Sequence, residues 1–411
     1  MDEPSRGSRA PRFALSALAY RDFRLLIAST GLLQFGIWTS MVISGWMVFH
    51  ISDSTFQLGL FSFLSAIPIV ITTPLSGYLS DRGQRRLIML GTQCTLAVAS
   101  LTLAILVTTD AIQLWHFYVI APFFGGSFSM SGPTRMGLVH DVVGGKELTS
   151  AITLNAMTTN VMRVVGPAVG GALIGFAGPK GAFWVPAISY ILALAPLLVL
   201  PMGAGRLGAA QKNIFRSLKE TVVYIRHERL LGPLIALAFV TGLFGMASTH
   251  MMPAYVARVL DSPEGEALGW LMSAQGFGAL FGAALMSVVG EIPRRGRVYL
   301  LSVFLFGALI IGMGLTANFA IAVVLMTGLG VLNAVTLISN NILIQTRVAD
   351  HIRGRVLSIY FMSFSLASIG TLLNGTIAEW IAMETTFCLL GAIVAASAVF
   401  VAFRSRAVRE A

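Results

Sequence analysis

The sequence predicts an all-α polytopic membrane protein of twelve transmembrane helices, arranged as two six-helix pseudo-repeats. Three observations carry that prediction: the composition, the number of apolar runs, and the one-sided placement of positive charge. Of 411 residues, 56% are hydrophobic and 11% charged, and the mean hydropathy is +0.80. Soluble domains carry roughly 25% charged residues, so lipid must cover much of this apolar surface.

A hydrocarbon core ~30 Å thick needs about 20 apolar residues per helix. Runs of that length occupy 25–51, 57–80, 87–108, 112–138, 149–177 and 182–202, then 231–256, 267–290, 298–316, 319–346, 356–382 and 386–403. The expected organisation is a tail at 1–24, a six-helix bundle at 25–202, a linker at 203–230, a second bundle at 231–403 and a tail at 404–411. Arg6, Arg9 and Arg12 precede the first run as they would in a signal peptide. That run is far longer than the ~7–15 residues of a signal core, so it is expected to stay as the first span.

With both termini placed in the cytoplasm, 25 of the 28 Lys and Arg residues fall on the inner side. Only Lys180 and Arg258 fall outside, and Arg163 alone lies deep within a span. A missed span would exchange the two sides and destroy that asymmetry. The net charge of +10 is therefore expected at a membrane surface rather than on nucleic acid. In the linker, Ile214, Leu218, Val222 and Ile225 repeat at helical spacing among Arg216, Lys219 and Arg226. Such a helix suits either the inner leaflet or a solvated connection.

The halves echo each other. Span five carries Gly166-Pro167-Ala168-Val169-Gly170-Gly171, and span eleven carries Gly370-Thr371-Leu372-Leu373-Asn374-Gly375. The hinge before span three holds Arg82, Arg85 and Arg86, and the hinge before span nine holds Arg294, Arg295 and Arg297. Two six-helix halves facing a central path suit alternating access.

Gly77-Tyr78-Leu79-Ser80-Asp81-Arg82-Gly83-Gln84-Arg85-Arg86 lies between spans two and three. Gly77 permits close helix approach, Gly83 a tight turn, and Asp81 can pair with arginine or cap a helix. The ordered acid, arginine, glycine and basic residues resemble the signature loop of the major facilitator superfamily. Arg163 to Gly171 is similar to a motif of exporters and antiporters in that superfamily; Gly166 and Pro167 bend the helix while Gly170 and Gly171 permit tight packing. Tyr20 to Leu26, Pro133-Thr134-Arg135, Phe215 to Leu231 and Arg353 to Ser358 extend the resemblance to a subgroup containing the enterobactin exporter and macrolide efflux pumps. It implies a secondary transporter in a bacterial inner membrane, exporting a small amphiphilic molecule such as a drug, macrolide or siderophore. A monomer is expected, with protons as a candidate coupling ion; an importer of a small solute is the alternative. Asp81, with its hinge, and Arg353 with Arg355 are expected to hold a cytoplasmic gate shut in an outward-open state.

A charge inside a bilayer normally faces a cavity or a partner. For Arg163 two readings stay open: a contact for an anionic or acceptor-rich substrate group, or an arginine bonded to helix carbonyls near the Gly-Pro bend. Gln34 and Trp38 share one face of span one. The resemblance places spans one, four, seven and ten around the cavity, which makes Gln34, Trp38, Asn333 and Asn340 candidate contacts. Phe124, Phe128 and Met246 could form a soft apolar wall, and Asn155 in span five joins the path candidates. The asparagines equally suit gluing helices together. No Asp or Glu lies deep in any run, so coupling would use Asp81, His250 or Glu379, or be absent.

Other chemistry is not expected. Cys94 and Cys388 sit in apolar runs and form no disulfide framework or metal site. Gly203 to Gly208 fits a dinucleotide pattern but follows a membrane run rather than a strand. There is no P-loop, zinc motif or nucleophile elbow, so neither a cofactor nor an enzyme is expected.

Overall fold

The computed structural model describes residues 16–81, 84–144, 147–200, 214–262, 265–289, 292–348 and 350–411. All the regular structure among them is helical. The first half contains α1 (Arg21–Ser52), α2 (Thr55–Asp81), α3 (Arg85–Thr108), α4 (Leu114–Val143), α5 (Leu148–Ala182) and α6 (Trp184–Val199). Linker helix α7 (Ile214–His227) follows. The seventh predicted span is broken into α8 (Leu231–Val240), a π-helical turn (Thr241–Met246), α9 (Ala247–His250) and α10 (Met252–Arg258). The chain continues through α11 (Gly265–Val289), α12 (Arg295–Gly314), α13 (Phe319–Arg347), α14 (Asp350–Trp380) and α15 (Met383–Arg404), ending in short α16 (Arg406–Glu410). Among the described residues, eight helices are long and apolar enough to cross a membrane, and shorter apolar stretches lie at Thr55–Ile69 and Trp184–Val199. Helices α4 and α14 occupy the fourth and eleventh predicted positions.

The echo between the halves has a structural counterpart. A Cβ at Gly166 would meet Trp38 on α1, and one at Gly370 would meet the Leu243 carbonyl in the seventh span at 1.8 Å. Five residues further along each helix the contact crosses between halves. Gly171 lies so close to Gly269 of α11 that a Cβ on Gly269 would sit 2.8 Å from its backbone. A Cβ on Gly375 would sit 2.4 Å from the Thr55 carbonyl of α2. Thus α5 packs on α1 and α11, while α14 packs on the seventh span and α2. Only residues without side chains permit such backbone approach at these seams.

The buried apolar core forks. One cluster joins both halves at the end opposite the chain termini through Ile43, Leu58, Phe117, Tyr255 and Leu271, and continues down the second half to Leu230 and Val408. Toward the termini-bearing end each half has a cluster of its own. Phe23, Leu26, Met89, Val139 and Leu197 pack in the first half, and Leu231, Ile344, Ile352 and Val356 in the second. Linker helix α7 joins the latter through buried Ile225, whereas Val222 is 41% exposed. The helix is therefore docked on the second half along one side only.

Candidate functional site

The α1–α5 contact builds the centre of the candidate site. Arg163 stands about 22 Å along α5 from Leu148 at 1.5 Å per residue, well inside the predicted span. Its guanidinium carbon lies 4.9 Å from the centroid of the Trp38 ring, within the range for a cation–π contact. No hydrogen bond or ion pair from Arg163 occurs among the described residues. The Trp38 Nε1 is buried without a hydrogen-bond partner.

The Gly-Pro segment fixes the separation of the two helices. A Cβ on Gly166 would lie 2.6 Å from the Trp38 Cβ, and one on Gly170 would lie 3.2 Å from the Thr39 carbonyl. The Thr39 hydroxyl donates to the Gly166 carbonyl at 3.1 Å. Pro167 lies inside α5 and has no N–H, so the Arg163 carbonyl loses its usual helical donor. One residue on, Val164 meets Gly276 of α11, where an added Cβ would sit 2.8 Å from a Val164 methyl. Arg163 thus lies beside a contact between the halves.

The other path candidates are spread more widely. Gln34 is buried in α1. Phe124 is partly buried and packs on two apolar clusters, whereas Phe128 is 46% exposed. Asn155 is buried, with its Nδ2 3.8 Å from the Met136 sulfur and its Oδ1 unpartnered. Asn333 is half-buried on α13. Asn340 is buried and donates to the Tyr299 hydroxyl at 3.2 Å, which in turn donates to the Leu234 carbonyl. That arrangement ties α13, α12 and α8 together.

Of the residues expected at the cytoplasmic gate, Arg85 and Arg86 are described. Arg85 pairs with Asp141 at 2.8 Å and donates to the Gly137 carbonyl. Arg86 donates to the carbonyls of Leu197 and Leu198. All these partners belong to the first half. Arg82 and Gly83, and the side chains at Gly77, Asp81, Arg353 and Arg355, lie outside the described residues.

At the far end the halves are latched together. Oε1 of Glu379 on α14 accepts hydrogen bonds from the Ser54 hydroxyl (2.7 Å), the Thr55 hydroxyl (3.1 Å) and the Phe56 backbone N–H (3.2 Å). The Thr55 hydroxyl also lies 2.8 Å from the Gly375 carbonyl. Beside them Arg258 donates to the Asp53 carbonyl, with the Asp53 carboxylate 3.7 Å away. The Arg258 guanidinium lies over the Phe49 ring. Asp53 adopts the left-handed conformation as it ends α1. Hydrogen bonds between the halves, among the described residues, gather at this end. Sequence reasoning named Glu379 only as a possible proton carrier and missed its partners. The sole signal was an acid at the outer edge of span eleven.

A family model described as "Transmembrane secretion effector" matches residues 13–411. The chain belongs to this family of major facilitator transporters. It is therefore a multi-pass secondary transporter and not an enzyme. It is 23% identical over 373 residues to a staphyloferrin A transporter of Staphylococcus aureus, covering 90% of this chain and 92% of the relative. It is 25% identical over 398 residues to the multidrug efflux pump Tap of Mycobacterium tuberculosis, covering 94% of each. The enterobactin exporter EntS of Shigella flexneri is 26% identical, with 74% of this chain and 72% of that protein covered. The fold resembles that of the nucleoside transporter NupG, with a TM-score of 0.76 at 13% identity, covering 94% of this chain and 98% of NupG. It also resembles a bacterial homologue of the lysosomal transporter Spinster solved in an inward-facing state, at TM-score 0.68 and 15% identity, covering 97% and 96%.

Proposed function

We propose that this transporter exports a small amphiphilic molecule from the bacterial cytoplasm by alternating access, and that the arrangement described above is its inward-open state. The forked core carries the reading. The halves share one apolar cluster and a polar latch at one end, and among the described residues keep separate clusters at the other. The positive-inside distribution assigns the separated end, with both termini, to the cytoplasm. A path open there exchanges with the cell interior, and the direction of transport rests on the exporter-like segment described next.

The Gly166–Gly171 segment supports export through its likeness to the exporter motif, and relatives named as an efflux pump and a siderophore exporter agree. Arg163 and Trp38 are path candidates in contact with each other. Gln34, Phe124, Asn155, Asn333 and Asn340 complete the proposed lining and its supporting helices. In the opposite, outward-open state, Asp81, Arg353 and Arg355 would close the cytoplasmic side. Proton coupling is part of the proposal, with Glu379 as an acid that changes partners between the two states. The unit is taken to be a monomer in the inner membrane.

The test is efflux from intact cells preloaded with lipophilic dyes, macrolides and catecholate siderophores, with and without a protonophore. Protonophore-sensitive loss of a compound, abolished by Arg163→Ala, is expected. Drive-dependent accumulation of a solute, with no loss of any loaded compound, would overturn export and favour uptake.

A further inference from the structure

We infer that Arg163 and Trp38 form a recognition site for a carboxylate on the transported molecule, so that the cargo is an amphiphilic organic acid. The inference rests on the transport reading, but concerns what is bound rather than which way it moves.

Arg163 is the single Lys or Arg deep in a predicted span. A cation at that depth is normally neutralised by a nearby acid or satisfied by carbonyls. Neither is found among the described residues, where its one interaction is the Trp38 ring face. An aromatic face attracts a cation but removes none of its charge. Arg163 is half-buried, and its guanidinium nitrogens are not among the sealed, unpartnered atoms. They therefore remain open to an incoming group.

Trp38 supplies a second observation. Its Nε1–H is buried and unpaired, a condition that native proteins rarely tolerate without a partner in some working state. The two groups have one requirement in common: each donates and neither accepts. A carboxylate has two acceptor oxygens and a negative charge, so it can neutralise the open guanidinium and, once a side-chain shift uncovers the Trp38 Nε1–H, take a hydrogen bond from it as well. A neutral acceptor would leave the charge uncompensated. Gly166 holds the pair in place, because any side chain there would push Trp38 away from α5. The Trp38 ring and half-buried neighbours give the acid's apolar body a surface. Once bound, the anion would cross the membrane centre as part of a neutral pair.

The experiment measures equilibrium binding of three probes with one aromatic body to purified protein in lipid nanodiscs, with empty discs subtracted. The probes are pyrenebutyrate, its methyl ester and pyrenebutyl trimethylammonium. Wild type is expected to prefer the carboxylate over the ester by roughly tenfold, the scale of a hydrogen bond to a charged group, and to bind the ammonium most weakly. Arg163→Gln should abolish the preference, Arg163→Lys should keep part of it, and Trp38→Phe should reduce it. Equal binding of the three by wild type would overturn the inference, as would no carboxylate binding above empty discs or a preference that survives in Arg163→Gln. The wild-type comparison stands even if a variant fails to fold. If the preference holds while cells show uptake instead of efflux, the site stands and only the direction falls.

Discussion

The carboxylate of Glu379 on α14 accepts the backbone N–H of Phe56 at 3.2 Å, so a side chain of the second half caps a helix of the first. Phe56 lies in the first turn of α2, where backbone N–H groups have no helical acceptor and the helix dipole favours negative charge. In the proposed cycle the contact exists only while this end is closed. It therefore favours one conformation without strengthening either half by itself.

Glu379→Gln keeps the shape but loses the charge that three donors share. Hydrogen bonds to charged groups contribute ~1.5–3 kcal/mol, and solvent at this exposed end lowers that toward ~1 kcal/mol. The closed population should fall relative to the open one by about fivefold. Spin labels at the outer ends of α2 and α14 would report this as a larger long-distance fraction. An unchanged distance distribution would show that the latch does not bias the equilibrium.

Gly375→Val and Gly269→Val should block closure rather than bias it. An added Cβ at either position lies under 3 Å from backbone atoms of the other half, where no side-chain rotation relieves the clash. Transport should fall more than ~tenfold although the variants still insert and elute as the wild type does. Retention of more than half the transport rate would mean that this end need not close tightly.

Tyr299→Phe probes stability inside the second half. The hydroxyl links Asn340 to the Leu234 carbonyl, and the Asn340 Oδ1 is already unpaired. Removing it leaves a further buried donor without a partner, at a cost of ~1–3 kcal/mol. A lower thermal midpoint in detergent is expected, with the carboxylate preference of the transport site intact.

Asp81→Asn addresses the proposed gate at the opposite end. If Asp81 helps close the cytoplasmic side in the outward-open state, the variant should label faster from that side at cysteines placed along the path. Transport should slow in parallel. Wild-type labelling together with wild-type transport would remove Asp81 from the gate.

The helices were legible because each needs only a run of apolar residues, and the lipid requirement is nearly independent of what packs beside it. Arg163 was legible for the same reason: a lone charge stands out in an apolar run. Its pairing with Trp38 was not, since that depends on the separation and rotation of α1 and α5, which Gly166 and Gly170 fix through contacts far apart in sequence. Ser54, Thr55 and Arg258 looked like ordinary loop and helix-end residues. Their meeting with Glu379 depends on how one six-helix body sits against the other, which local patterning does not encode. The Gly166–Gly171 and Gly370–Gly375 echo lies between these cases, visible as a weak repeat and explained only by the surfaces it touches.

Those paired glycine segments also limit how the molecule can move. Each provides one bearing between the halves, Gly171 against Gly269 and Gly375 against Thr55. Both are seats that bear load only while the latched end is shut, and backbone meets backbone in each. Closure therefore ends on two hard stops rather than on a compressible cushion of side chains, which fixes how far the halves can approach.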